Sequence, residues 1–189
     1  ILQPPFYDPE ADDAVNYGAI GVVISHEMSH GFDDQGRMFD KHGNMTDWWT
    51  EEDVNAFNSR ARILISQFDS VQVLPGLNAN GALCIGENIA DQGGLRIAYT
   101  ALVDSFAGVE PEKIDGYTAA QRFYLSYGRI WAQNITDEEK ARLTKLDVHS
   151  LGENRVNVTL RNLQTFFDAF SIKEGDSMFR PEHERVIIW

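Results

Sequence analysis

Two histidines and a glutamate lie within five consecutive residues, in the order His26-Glu27-Met28-Ser29-His30. In a helix, residues four apart share one face, so both imidazoles could bind a single tetrahedral zinc ion. Glu27 is offset toward the open coordination position, where its carboxylate could take a proton from a metal-bound water. Chance produces this pattern in roughly one of 150–200 chains of this length, so it predicts a zinc site.

Such a site needs a third protein ligand, and a later helix offers one. A metzincin would continue the motif with a glycine and a third histidine, but Asp33 and Gly36 occupy those positions. Glu87 and Asp91 instead place two carboxylates one helical turn apart in an apolar segment. We predict that Glu87 binds the metal and that Asp91 accepts the N–H of a ligating histidine, which fixes its tautomer. The alternative is that both acids lie on an exposed helix face.

Helices are expected to position these residues. The first motif ends an apolar segment over about residues 14–30, which is typical of a helix buried in the core. Gly18 and Gly21 within it indicate that another backbone lies close by. Glu87 and Asp91 begin a second central helix. The remaining expectations are helices over about 50–68, 86–106, 118–133, 136–146 and 159–170, short strands within 71–84, and loops over 32–49 and 147–155.

The composition excludes several classes of protein. The 189 residues are 43% hydrophobic and 24% charged, which is typical of a globular domain and not of a disordered chain. A net charge of −13 provides no basic surface for phosphates, so we expect no nucleic-acid partner. No apolar run approaches about 18 residues, so we expect no membrane span in this chain. Cys84 is the single cysteine and is predicted to be a small buried side chain.

Three motifs in order resemble those of the neprilysin and endothelin-converting-enzyme family of zinc endopeptidases. They are the segment 16–36 around the paired histidines, the segment 86–94 (Gly-Glu-Asn-Ile-Ala-Asp-Gln-Gly-Gly), and the segment 147–155, which begins Asp-Val-His-Ser and ends in arginine. The resemblance covers essentially the whole chain. It implies a mainly α (α+β) fold, namely a helical, thermolysin-like zincin catalytic lobe with a few short strands. Val186 stands where vertebrate members have a cysteine, which favours a bacterial oligoendopeptidase.

The resemblance also implies what the residues of the first two motifs do. His26, His30 and Glu87 would bind one zinc ion per chain. Glu27 would be the general base toward zinc-activated water, as in other gluzincins. Asp91 would orient a zinc-bound histidine, which we expect to be His26.

Further roles rest on the third motif and on neighbouring positions. His149 would donate a hydrogen bond to the oxyanion, with Asp147 holding its ring, and Arg155 would bind a substrate carbonyl or carboxylate. Without the family, a histidine in a loop is expected to be an ordinary surface residue. Asp33 is either a partner for His30 or a cap for its own loop.

The same resemblance suggests a pocket for the residue that follows the scissile bond. Its apolar wall would consist of Val22, Val23, Ile130 and Trp131. Such a pocket would favour cleavage of oligopeptides on the amino side of bulky hydrophobic residues, although ordinary core packing is the alternative for all four positions.

We expect residues 1–189 to form a single domain, the C-terminal catalytic region of a longer protein. The family's Asn-Ala-(Tyr/Phe)-Tyr strand, which pairs with bound peptide, and its large helical domain are not in this sequence. The expected partners are therefore oligopeptide substrates and the remainder of the polypeptide. We expect a bacterial periplasmic, cell-surface or secreted location, with the cytoplasm left open. The competing hypothesis is an isolated fragment or inactive relative that serves as a binding or structural module.

Overall fold

Helices form most of the computed structural model, which describes residues 1–189. The α-helices are α1 (Asp13–Asn16), α2 (Val22–Ser29), α3 (Glu51–Asp69), α4 (Ile85–Ser105), α5 (Ala119–Ile130), α6 (Asp137–Leu146), α7 (Gly152–Leu160) and α8 (Gln164–Phe170). Strand β1 (Gln72–Leu74) pairs antiparallel with β2 (Leu77–Asn78) in the only sheet. The predicted mainly helical class with a few short strands is confirmed. No helix in the structure has the length and apolar composition that crossing a membrane requires.

A π-helical turn at Tyr17–Gly21 joins α1 to α2, so that α1, this turn and α2 follow one another without a break. A Cβ atom at Gly18 would overlap the backbone carbonyl of Phe123 in α5, which confirms the close approach expected there. The same expectation is wrong for Gly21, because the atoms nearest to a Cβ at that position belong to Asn16 and Tyr17 of the same segment.

Helix α2 is buried on one side only. Val22 and His26 are buried, whereas the side chains of Ile24 and Met28 are 55% and 63% exposed. The helix is therefore only partly in the core, contrary to the prediction of a buried helix: it exposes an apolar strip beside the paired histidines.

Helix α4 lies at the centre of the fold because it contributes to both hydrophobic clusters. Its first half places Ile85 and Ile89 in a cluster with α3. Its second half places Leu95 and Leu102 in the larger cluster, with residues of α1, α5 and α8. Cys84, directly before this helix, is 4% exposed, as the sequence predicted.

The third motif is not the loop that the sequence predicted. Helix α7 begins at Gly152, so Arg155 lies on a helix, and the single helix expected over 159–170 is instead α7 and α8 with a short turn between them. No side chain caps the start of α7, which is why the sequence carries no start signal. A Cβ at Gly152 would overlap the carbonyl of Trp131, so close packing against the end of α5 sets the start of α7.

Candidate metal centre

Three side chains converge on one point: His26 in α2, His30 in the 3-10 turn directly after α2, and Glu87 in α4. The Nε2 atoms of His26 and His30 lie 3.0 Å apart, and the Glu87 carboxylate lies 3.2 Å from the first and 3.6 Å from the second. Donors about 2.0–2.2 Å from a tetrahedral zinc ion are about 3.3–3.6 Å from one another. Oε2 of Glu87 is buried and accepts no well-formed hydrogen bond, although an imidazole nitrogen is close. This donor set therefore fits one zinc ion.

The close approach of α2 and α4 brings these groups together. At Gly94 of α4, a Cβ atom would lie 2.9 Å from the backbone nitrogen of His26 and 2.9 Å from the carbonyl oxygen of Val22. Contacts this short with backbone atoms would force one helix away from the other. The absence of a side chain at Gly94 therefore allows Glu87 to reach the imidazoles.

We expect Gly94→Ala to destabilise the fold by about 1–3 kcal/mol, because the added methyl group overpacks the contact between α2 and α4. Zinc affinity should fall at least about tenfold, because the ligands are carried on both helices. Urea denaturation and titration with a competing chelator measure the two effects. Gly128→Ala in α5 is the matched control, since a Cβ there has no neighbour within 4 Å, and it should slightly stabilise the helix. Equal stability and equal zinc affinity of the two variants would show that the contact at Gly94 does not hold α2 and α4 together.

Each of the two converging imidazoles has a carboxylate on its Nδ1 side. Nδ1 of His26 lies 2.9 Å from Oδ1 of Asp91, and Nδ1 of His30 lies 2.7 Å from Oδ2 of Asp33. These bonds place the ring proton on Nδ1 and leave Nε2 free to bind a metal. Asp33 also accepts two backbone N–H groups from residues 35–36, so it both pairs with the histidine and caps its loop.

The charges around His26 affect its protonation. Burial alone lowers the pKa of this imidazole, but the hydrogen bond to Asp91 and the nearby carboxylate of Glu87 outweigh burial and raise the pKa to about 9. Because a metal ion and a proton compete for Nε2, metal binding at this site is coupled to proton release.

Arg155 forms an ion pair that sequence reasoning missed. Its Nε and Nη2 donate to Asp91 at 2.7 and 2.6 Å, and its guanidinium lies 3.7 Å from the centre of the Trp131 ring. Burial raises the pKa of Asp91, but Arg155 and His26 outweigh it, and the pKa is lowered. A carboxylate in an apolar helix needs a cationic partner, and that requirement is the signal that could have revealed this pair. Nη1 makes no hydrogen bond within the chain.

His149 and Asp147 lie in the loop between α6 and α7, next to the metal ligands. Nδ1 of His149 is 2.8 Å from Asp147, and its Nε2 is 3.4 Å from Glu87. The backbone N–H and the ring of His149 both bond to Asp147 and help to lower the pKa of that carboxyl. The loop therefore directs Nε2 of His149 toward the point where the three ligands converge.

A cavity of about 130 Å³ adjoins these groups. Its lining consists of Val22, Val23, His26, Glu27, Asp91, Trp131, His149 and Arg155. This volume suits one side chain and not a whole ligand of drug size. Ile130 does not line this cavity; it is 9% exposed and belongs to the larger hydrophobic cluster. The other three predicted wall residues do line the cavity.

Comparisons with known proteins identify the family. The profile of Peptidase family M13 matches residues 1–186, so the chain belongs to this family. It is 40% identical over 189 residues to "Neutral endopeptidase" of Lactococcus lactis subsp. lactis, covering 100% of this chain and 28% of that protein. It is 41% identical over 191 residues to "Membrane metallo-endopeptidase-like 1" of Homo sapiens, covering 98% of this chain and 24% of that protein. The chain therefore spans only about a quarter of the length of these relatives. The resemblance seen in the motifs is confirmed.

Solved structures show the same fold. A zinc metalloprotease of Mycobacterium tuberculosis, in complex with an inhibitor, superposes with a TM-score of 0.97 at 44% identity, covering 100% of this chain and 30% of that one. PepO from Lactobacillus rhamnosis gives a TM-score of 0.88 at 34% identity, covering 100% of this chain and 28% of that one. The family and the described zinc metalloprotease imply zinc as the metal.

Proposed function

We propose that the chain contains the catalytic centre of a zinc endopeptidase that cleaves oligopeptides on the amino side of bulky hydrophobic residues. The observation that carries this proposal is the convergence of a three-ligand metal site with Glu27, His149 and Arg155 around one cavity. The relatives called endopeptidases support it.

His26, His30 and Glu87 would hold one zinc ion per chain. Zinc in such a site supplies Lewis acidity, which lowers the pKa of a water ligand and polarises a carbonyl group. The exposed carboxylate of Glu27 lines the cavity beside these ligands. It accepts a proton from the attacking water and delivers that proton to the leaving amine.

His149 and Arg155 act on the oxygen atoms of the substrate. Nδ1–H of His149 donates to Asp147. In the imidazolium form of His149, Nε2 carries the second ring proton and donates a hydrogen bond to the carbonyl oxygen as negative charge develops. Nη1 of Arg155 donates to a second substrate oxygen, while its other nitrogens remain paired with Asp91.

Substrate preference follows from the apolar part of the cavity. Val22, Val23 and Trp131 line it on the side next to the metal ligands. A cavity of about 130 Å³ with this apolar wall suits the side chain of Phe or Leu.

We also propose that the site works with a further part of the same polypeptide, as the family resemblance implies. The exposed apolar side chains of Ile24, Met28 and Phe32 lie along and just after the zinc motif, where another segment could cover them. The bacterial relatives support a bacterial peptidase, and we place it in the periplasm, at the cell surface or in the medium.

Metal removal tests the proposed function in the natural protein that contains this sequence. We expect cleavage before Phe or Leu in test peptides, read by mass spectrometry of the products. Removing zinc with a chelator should lower the rate by at least about 10³, and one equivalent of zinc should restore it. The control peptide carries Gly in place of Phe or Leu and should be cut there much more slowly, because it leaves the apolar cavity empty. Full activity without metal would contradict the proposal, and zinc binding without cleavage would favour the binding-module alternative.

A further inference from the structure

We infer that the hydrogen bond between Asn88 and Ser150 is a positioning contact, which holds the loop over residues 147–151 so that His149 faces the metal ligands. The inference rests on the proposed function, in which His149 donates to the reacting oxygen. Asn88 and Ser150 themselves touch no reacting atom; they act through His149.

The bond joins the two halves of the site. Oγ of Ser150 donates to Oδ1 of Asn88 at 2.8 Å. Asn88 directly follows the metal ligand Glu87 in α4, and Ser150 directly follows His149 in the loop. This hydrogen bond thus links the residue after the proposed metal ligand to the residue after the proposed oxyanion donor.

Few other side-chain bonds tie this loop to α4. The thiol of Cys84, just before the helix, lies 3.6 Å from the carbonyl oxygen of Asp147, and a thiol is a weak donor. The bond from Asp147 to the His149 ring fixes the ring relative to its own loop but leaves the loop free relative to α4. Since the His149 side chain is 48% exposed, packing alone does not hold it.

The burial of Asn88 supports a dedicated role for this bond. Asn88 has 0% exposure, and its neighbours Ile85 and Ile89 belong to the cluster formed with α3. Its Nδ2 is buried without a partner, and its one side-chain hydrogen bond goes to Ser150. A buried amide with incomplete hydrogen bonding costs free energy that an apolar residue would avoid. The hydrogen bond to Ser150 in the loop is therefore what this buried amide contributes to the structure.

Ser150→Ala in the natural protein tests the inference. A displacement of a reacting group by about 1 Å can cost about 10² in rate, so we expect kcat to fall about 10- to 100-fold. KM should stay within about twofold, because His149 binds the oxygen more strongly only as charge develops. Ser66→Ala is the matched control, because the hydroxyl of Ser66 bonds only to the Arg62 carbonyl in its own helix. It should leave both constants unchanged.

A double-mutant cycle separates positioning from general destabilisation. His149→Ala alone should lower kcat by about 10²–10³. If Ser150 acts through His149, adding Ser150→Ala in that background should change kcat less than about twofold. The same loss in both backgrounds would overturn the inference.

Hydrogen–deuterium exchange gives a readout that does not depend on activity. In zinc-loaded protein, Ser150→Ala should speed exchange of the amides of residues 147–151 about tenfold and leave α4 and the zinc content unchanged. A wild-type protein that cleaves no peptide would refute the proposed function, and exchange would still decide whether the bond holds the loop. Unchanged exchange in Ser150→Ala would overturn the inference.

Discussion

Glu27→Gln is expected to lower kcat by about 10³ or more and to leave zinc content near one ion per chain. The amide has the shape of the carboxylate but cannot accept a proton at neutral pH, and proton transfer by a positioned side chain contributes about 10²–10⁴ in rate. Glu27 lines the cavity and is not among the three residues that converge on the metal position. A fluorogenic peptide assay gives kcat, and elemental analysis gives the zinc content.

Glu52→Gln provides the matched control for this prediction. Glu52 is an exposed carboxylate in the first turn of α3, outside the cavity, so its variant should retain full activity and zinc. Wild-type kcat in Glu27→Gln would show that another group takes the proton. Loss of zinc from that variant would show that Glu27 is a ligand and not the base.

Glu87→Ala is expected to weaken zinc binding by at least about 10³. The substitution removes one of three ligands and the only negative charge among them. Mutation of a residue that only hydrogen-bonds to a metal ligand already lowers metal affinity by about 10–100-fold, so the loss of a ligand should lower it further. Glu87 lies within 3.6 Å of Nε2 of both His26 and His30, and it is the only carboxylate that groups with both histidines around one possible metal position. Titration against a chelator of known affinity measures the effect.

Activity in Glu87→Ala should return only at zinc concentrations that would saturate the weakened site. Glu52→Ala serves as the control and should bind zinc as tightly as the wild type. If Glu87→Ala kept wild-type affinity while Glu27→Gln lost zinc, the two roles would be reversed.

Local spacing determined much of this site from the sequence alone. His26 and His30 share a helix face, as do Glu87 and Asp91, because residues four apart in any α-helix are neighbours. The helices that carry them could be predicted from apolar periodicity, and α3, α5 and α6 from Thr50, Thr118 and Thr136 at their N-termini, whose side chains each accept a backbone N–H. These features depend on atoms within one or two turns of the chain, so the sequence contains the information directly.

Only the tertiary structure decided how the helices meet. The ion pair between Arg155 and Asp91 joins α7 to α4, and the approach at Gly94 joins α4 to α2. The burial of Ile130 and the start of α7 at Gly152 depend likewise on which segments pack against each other. Contacts between residues far apart in the chain depend on the crossing points of helices and on the volumes of all side chains between them. Local periodicity contains no information on either quantity, so it could not show which carboxylate pairs with Arg155 or that Ile130 lies in the core and not at the cavity.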